Sequence, residues 1–218
     1  MDERILLILE IIGTVAFSVS GAFVAIKAKL DLFGVVFIGC ITAVGGGILR
    51  DILIGAVPPA IFSNLHIVLV AVGASLIAFL LAYLSKKHFD DIVVRIERVG
   101  NLFDAIGLAA FSVMGTEVAF THGLSDNIAL TVLLGMLTGV GGGMIRDVLT
   151  NTTPYIFKKH IYALASIGGA LVYYFAKEWI MVEILPSIIA MAFVITIRLL
   201  AAKYRWSLPK VHLNEEKK

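Results

Sequence analysis

The sequence predicts an all-α membrane protein of seven transmembrane helices, built as two inverted three-helix repeats plus a seventh helix. Three observations predict it. First, the 218 residues are 59% hydrophobic and only 16% charged, with a mean hydropathy of +0.96, whereas soluble domains are about one quarter charged. Second, the apolar residues lie in blocks long enough to cross a hydrocarbon core of about 30 Å, which takes about 20 helical residues. Third, one glycine-rich segment occurs twice, once in each half of the chain.

The spans follow in order. Ile5–Ile26 is too long for a signal core and lacks a basic start, so it reads as a retained helix. Leu32–Gly55 carries the first glycine triplet, and Leu65–Leu84 is an uninterrupted apolar run. Ser85–Asn101 is the longest connection and joins the halves. Leu102–Thr121, Ile128–Leu149 with the second triplet, and Ile156–Ala176 repeat the pattern, and Ile180–Ala202 stands outside it. Only helices or closed barrels satisfy their backbone in lipid, and these runs lack two-residue alternation, so helices are expected. Residues 1–203 thus form a single membrane domain, with repeat one at 5–84, repeat two at 102–176 and the extra helix at 180–202. Residues 204–218 form a charged cytoplasmic tail.

Orientation is read from lysine and arginine. One set of connections, with the tail, holds 13 of the 18: Lys27, Lys29, Lys86, Lys87, Arg95, Arg98, Lys158, Lys159, Lys203, Arg205, Lys210, Lys217 and Lys218. The opposite set holds only Arg4 and Lys177. Basic loops stay in the cytoplasm, which places the N-terminus outside and the C-terminus inside.

The repeat is carried by Thr42-Ala-Val-Gly-Gly-Gly-Ile-Leu-Arg-Asp and Thr138-Gly-Val-Gly-Gly-Gly-Met-Ile-Arg-Asp. Phe17-Ser18-Val19 is echoed by Phe111-Ser112-Val113, and Pro59-Ala-Ile-Phe by Pro154-Tyr-Ile-Phe. Two units of three spans each must insert with opposite topology. Glycine-interrupted helices at matching positions of inverted repeats point to a permeation or binding site.

The candidate site residues start with Gly45, Gly46 and Gly47 and with Gly141, Gly142 and Gly143. Each glycine weakens a helix by about 1 kcal/mol relative to alanine. A bend or local unwinding would free carbonyls that must face protein or water, where they can replace part of a cation's hydration shell. Close helix packing through small residues is the competing reading. Thr42 and Thr138, three residues earlier, could line the path or bond back to the carbonyl four residues before.

Arg50-Asp51 and Arg146-Asp147 suggest a charged gate or vestibule; an ion pair locking the bundle is the alternative. Adjacent helical residues point about 100° apart, so each arginine is expected to pair with an acid on another helix. Glu10 and Glu117 lie deep enough to attract cations, or else to partner Arg198 or each other. Asp104 reads as a charge near a helix start, and Ser18, Ser20 and Ser112 as interhelix contacts.

Enzyme chemistry is not indicated. No phosphate loop, zinc motif or nucleophile elbow is present, and the five histidines lack ligand spacing. Cys40 is the single cysteine, so no intrachain disulfide can form. No cofactor is implied, and no metal beyond transient monovalent cations.

The doubled Gly-Gly-Gly-x-x-Arg-Asp in a seven-helix chain resembles the prokaryotic branch of the TRIC family, the trimeric intracellular cation channels. The resemblance spans Ile5 to Ala202. It implies a homotrimer in a prokaryotic cell (inner) membrane, surrounded by lipid and without a nucleic-acid partner. Each subunit would hold its own pore for K+ or Na+, chiefly potassium, lined by helices kinked at Gly45–Gly47 and Gly141–Gly143. The basic motif that binds a phosphoinositide in animal members is absent here. The same bacterial sequences are also grouped as a glycine transporter domain, so a carrier for glycine or another small amino acid is the alternative.

Overall fold

The computed structural model describes residues 1–84, 89–158 and 161–206, with only the backbone described for 89–96 and 158. Lys86, Lys87, Lys159, Lys210, Lys217 and Lys218, cited above for topology, lie outside the described residues, as do three of the five histidines, His88, His160 and His212, and the tail from 207.

The chain is all-helical. In order come α1 (Glu3–Lys27), α2 (Leu32–Leu53), a 3-10 turn (Ala60–Phe62), α3 (Leu65–Leu84), α4 (Phe89–Thr121), α5 (Ile128–Leu149), the short α6 (Tyr155–Lys158), α7 (Ile161–Trp179) and α8 (Leu185–Tyr204). Asp2, Asp31 and Asn127 start α1, α2 and α5 by accepting from the amides of Arg4, Gly34 and Leu130. The turns after α1 and α4 use left-handed Lys29 and Gly123, and those after α2 and α5 use left-handed Gly55 and Asn151. These pairs are matched positions of the two halves.

Six of the helices are long and apolar enough to span a membrane: α1, α2, α3, residues 97–121 of α4, α5 and α8. The chain is therefore an all-helical membrane protein. Of the seven expected spans, α7 is the exception; it has 19 residues and carries Lys177 and Glu178 in its last turn.

Several expected boundaries move. The connection Ser85–Asn101 is not a loop through its length, because α4 begins at Phe89. A reading based on hydropathy cuts a helix where it becomes charged, although Asp91 and Arg95 stand at the favourable four-residue spacing. The sixth span starts at Ile161 instead of Ile156, because residues 155–158 form a separate turn. The last helix starts at Leu185 instead of Ile180, where Pro186 suits a first turn.

Helices α1, α2, α4 and α5 form the centre, each packed on two of the others. Helix α3 flanks α1 and α2, while α7 flanks α4 and α5, and α8 covers α4 and α7. Phe17 of α1 and Phe111 of α4 meet at the middle, ring centroids 5.3 Å apart. Each ring also lies over a glycine of the facing helix: Phe111 over Gly13 and Phe17 over Gly107.

The α2–α5 crossing explains the triplets. A β-carbon at Gly46 would lie 2.0 Å from the Thr138 carbonyl oxygen, and one at Gly142 would lie 2.0 Å from the Thr42 carbonyl oxygen. No side chain fits there, so two backbones approach closely through small residues. Both helices are unbroken across Gly45–Gly47 and Gly141–Gly143. The expected unwinding is therefore absent. Backbone groups inside lipid keep their helical bonds unless other partners replace them, and tight packing removes the need.

Candidate functional site

Met1, Glu117 and Lys177 mark one end of the bundle, here the N-terminal end; Lys27, Arg146 and Tyr204 mark the C-terminal end. Each end opens into a cleft between the central helices.

The N-terminal cleft, with a cavity volume of about 60 Å³, is lined among others by Glu10 and Thr14 of α1, Gly47, Arg50 and Asp51 of α2, and Thr138 of α5. Six residues of the sequence-predicted and structure-revealed sets thus share one space. The C-terminal cleft, with a cavity volume of about 40 Å³, is lined by Ser20, Lys27, Glu97, Gly100, Asn101 and Tyr155, with Phe23 and Val24. Lys27 and Glu97 form an exposed ion pair at its mouth.

Arg50 and Asp51 do pair, against the expectation for helical neighbours. Nε and Nη2 of Arg50 donate to Asp51 Oδ1 at 2.9 and 2.7 Å. The other carboxylate oxygen accepts from the Ala60 amide at 2.9 Å. Arg146 repeats this with Asp147, Nε to Oδ1 at 2.8 Å, and Asp147 Oδ2 accepts from the Tyr155 amide at 2.8 Å. The arginine stem is long enough to bend around the helix, so the 100° between neighbours does not separate them. Each aspartate thereby ties its helix to the segment that follows Pro59 or Pro154. A buried aspartate with both oxygens engaged has less to offer a passing cation.

Arg146 also makes the expected interhelix pair. Nη1 donates to Asp104 Oδ1 at 3.0 Å and to Ser20 Oγ at 3.2 Å, with the side chain fully buried. Arg198 of α8 approaches the other oxygen of Asp104 at 3.7 Å and lies 4.6 Å from the Tyr162 ring centre. Two arginines and two aspartates balance, which offsets the cost of burying four charges. Asp104 is therefore no helix-start charge. With α4 beginning at Phe89, it sits well inside the helix and is 1% exposed. Arg198 pairs with it and not with Glu10 or Glu117.

Glu117 is held by Lys177, by the Tyr173 hydroxyl at 2.9 Å and by the Met1 ammonium at 3.0 Å. It is an anchor among α1, α4 and α7. Thr42 and Thr138 bond back to the carbonyls of Ile38 and Leu134 at 2.6 and 2.7 Å. Ser112 meets Ser166 at 2.6 Å, as expected of an interhelix serine.

Glu10 differs from the other span carboxylates. It is half-buried, and among the described residues it has no hydrogen bond or ion pair. Thr14 was missed in the sequence. Its signal was its place one turn after Glu10, which puts both on one helix face. Tyr162 was also missed, since nothing local marks it, and the Tyr155 amide was quoted only as part of the Pro154 echo, whose match at Ala60 was its signal. Among the described residues no cluster of His, Cys, Asp and Glu is arranged to hold a resident metal.

The chain matches the family model described as glycine transporter twice, over residues 7–83 and 101–178. The UPF0126 inner membrane protein YadS of Escherichia coli is 35% identical over 208 residues, covering 95% of this chain and 96% of that protein. The UPF0126 membrane protein YvgT of Bacillus subtilis is 39% identical over 166 residues, 76% of this chain and 78% of that one. Among solved structures, a prokaryotic TRIC channel in 0.5 M KCl superposes with a TM-score of 0.84 at 36% identity, covering 95% of this chain and 100% of that one. The TRIC trimeric intracellular cation channel orthologue from Rhodobacter sphaeroides gives 0.83 at 27% identity, covering 94% and 100%.

Proposed function

Because this chain belongs to the glycine transporter family of UPF0126 membrane proteins, we propose that it works as a potassium-conducting cation channel with one pathway in each subunit of a homotrimer. The observation that carries this reading is the pair of clefts. The N-terminal cleft is lined by α1, α2, α4 and α5, the C-terminal cleft by α1, α4 and Tyr155, and the Ser20–Asp104–Arg146 cluster borders the second. Full-length likeness to channels of this class adds support.

In this reading α2 and α5 line the pathway beside Gly47 and Thr138, and the buried arginine cluster closes it. The arginines do not repel cations as bare charges, because each is matched by a carboxylate. Conduction requires the cluster to part or rotate, which exposes polar oxygens to a partly dehydrated ion. The chain spans the membrane seven times, with α7 included and shielded by α5 and α8. Its two halves are inverted, its N-terminus is outside and its C-terminus is in the cytoplasm.

The family's own description favours a second reading, a carrier for glycine or another small amino acid. Purified protein in liposomes separates the two. Potassium flux down a gradient, without exchange of labelled glycine, is expected. Saturable glycine counterflow with no potassium conductance would refute the channel reading.

A further inference from the structure

We infer that Glu10 and Thr14 form a binding site for one monovalent alkali cation at the inner end of the N-terminal cleft. Thr14 is 1% exposed, and its hydroxyl oxygen has no hydrogen-bond partner. A buried hydroxyl left unpaired costs free energy comparable to a lost hydrogen bond, so an occupant that engages it is favoured. Both residues line the same cleft, one helical turn apart on the same face of α1.

The charges specify the ligand. Arg50 is matched by Asp51, and both Asp51 oxygens are already engaged, by the Arg50 guanidinium and the Ala60 amide. Arg50 and His66 lie near enough to act on Glu10, and neither forms an ion pair with it. A carboxylate without an ion pair thus shares the cleft with an unbonded hydroxyl oxygen. Oxygen ligands suit a hard cation, and a single negative charge suits a monovalent one.

The other half of the molecule shows why the matched position forms no such site. The residue matching Glu10 is Asp104, and it is neutralised by Arg146 and Arg198. The residue matching Thr14 is Leu108, which has no oxygen to offer. Helix α8 supplies Arg198 and packs on the second half, and among the described residues the first half has no counterpart. The cation site would then collect ions at one end of the pathway. That role rests on the channel reading, whereas binding does not.

The test uses the full chain with thallium(I) as the probe. Crystals soaked in thallium acetate should show an anomalous peak between Glu10 and Thr14. Thr14→Val should remove it, and Thr14→Ser, which keeps the hydroxyl, should retain it. In liposomes Thr14→Val should raise the half-saturating potassium concentration about tenfold, the loss of one ion–oxygen contact. A wild-type chain that binds thallium there but passes no potassium keeps the site and refutes the channel. A wild-type chain that conducts, shows no thallium peak, and saturates as Thr14→Val does refutes the site.

Discussion

At the scale of single residues, two aspartates do a task that their place in the motif did not announce. Asp51 and Asp147 each accept from the preceding arginine and from a backbone amide in the next segment. Replacing Asp147 with Asn leaves Arg146, fully buried, with one fewer counter-charge. We expect a loss of about 3–5 kcal/mol, read as a lowered unfolding midpoint in detergent. The same change at Asp51 should cost visibly less, because Arg50 remains 12% exposed. Equal losses would show that burial does not set the difference. Gly46→Ala and Gly142→Ala face a backbone oxygen at 2.0 Å, and a backbone cannot rotate aside as a side chain can. Overpacking costs about 1–3 kcal/mol or more, so both variants should lower stability before they alter conductance. The doubled motif made these residues visible in the sequence. Their partners were not, because spacing along a helix fixes a direction but not the reach of a long side chain.

At the scale of elements, the continuity of α2 and α5 changes the account of the glycine triplets. A helix unwound at mid-membrane would expose its amides to exchange, whereas one packed against a neighbour keeps them bonded. We expect the amides of residues 45–49 and 141–145 to exchange as slowly as those of Val35–Ile38. Fast exchange confined to the triplets would restore the interrupted helix. Helix α4 shows the reverse case. Hydropathy ended it at Leu102, but the backbone continues helical back to Phe89. Residues 89–101 follow helical charge spacing without being apolar, and an average over hydrophobicity cannot register that.

At the scale of the whole molecule, the two halves share a motif yet differ in what covers them. Helix α8 brings Arg198 to Asp104, and among the described residues the N-terminal half has no equivalent. Arg198→Gln would leave the buried cluster with one excess negative charge. We expect weaker closure at the C-terminal end, seen as a rise in basal potassium flux of about fivefold or more, since one unpaired buried charge biases a two-state gate by about 1 kcal/mol or more. Unchanged flux in a stable variant would remove α8 from the closing device. The orientation has its own check. A C-terminal fluorescent-protein fusion should mature, and an alkaline phosphatase fusion at the same place should stay inactive.

What the sequence determined by itself is the class of molecule: helical, membrane-embedded, doubled in its central motif, with glycines and ion-pairing residues at matched places. Hydrophobicity and repetition are local properties, and the chain carries them whether folded or not. Only the tertiary structure decided that the glycines bring backbones together instead of breaking helices, and which carboxylates are neutralised. Those outcomes depend on distances between residues far apart in the chain. Asp104 and Arg198 meet across two helices, while Glu10, equally acidic and similarly placed, meets no cation within pairing distance among the described residues.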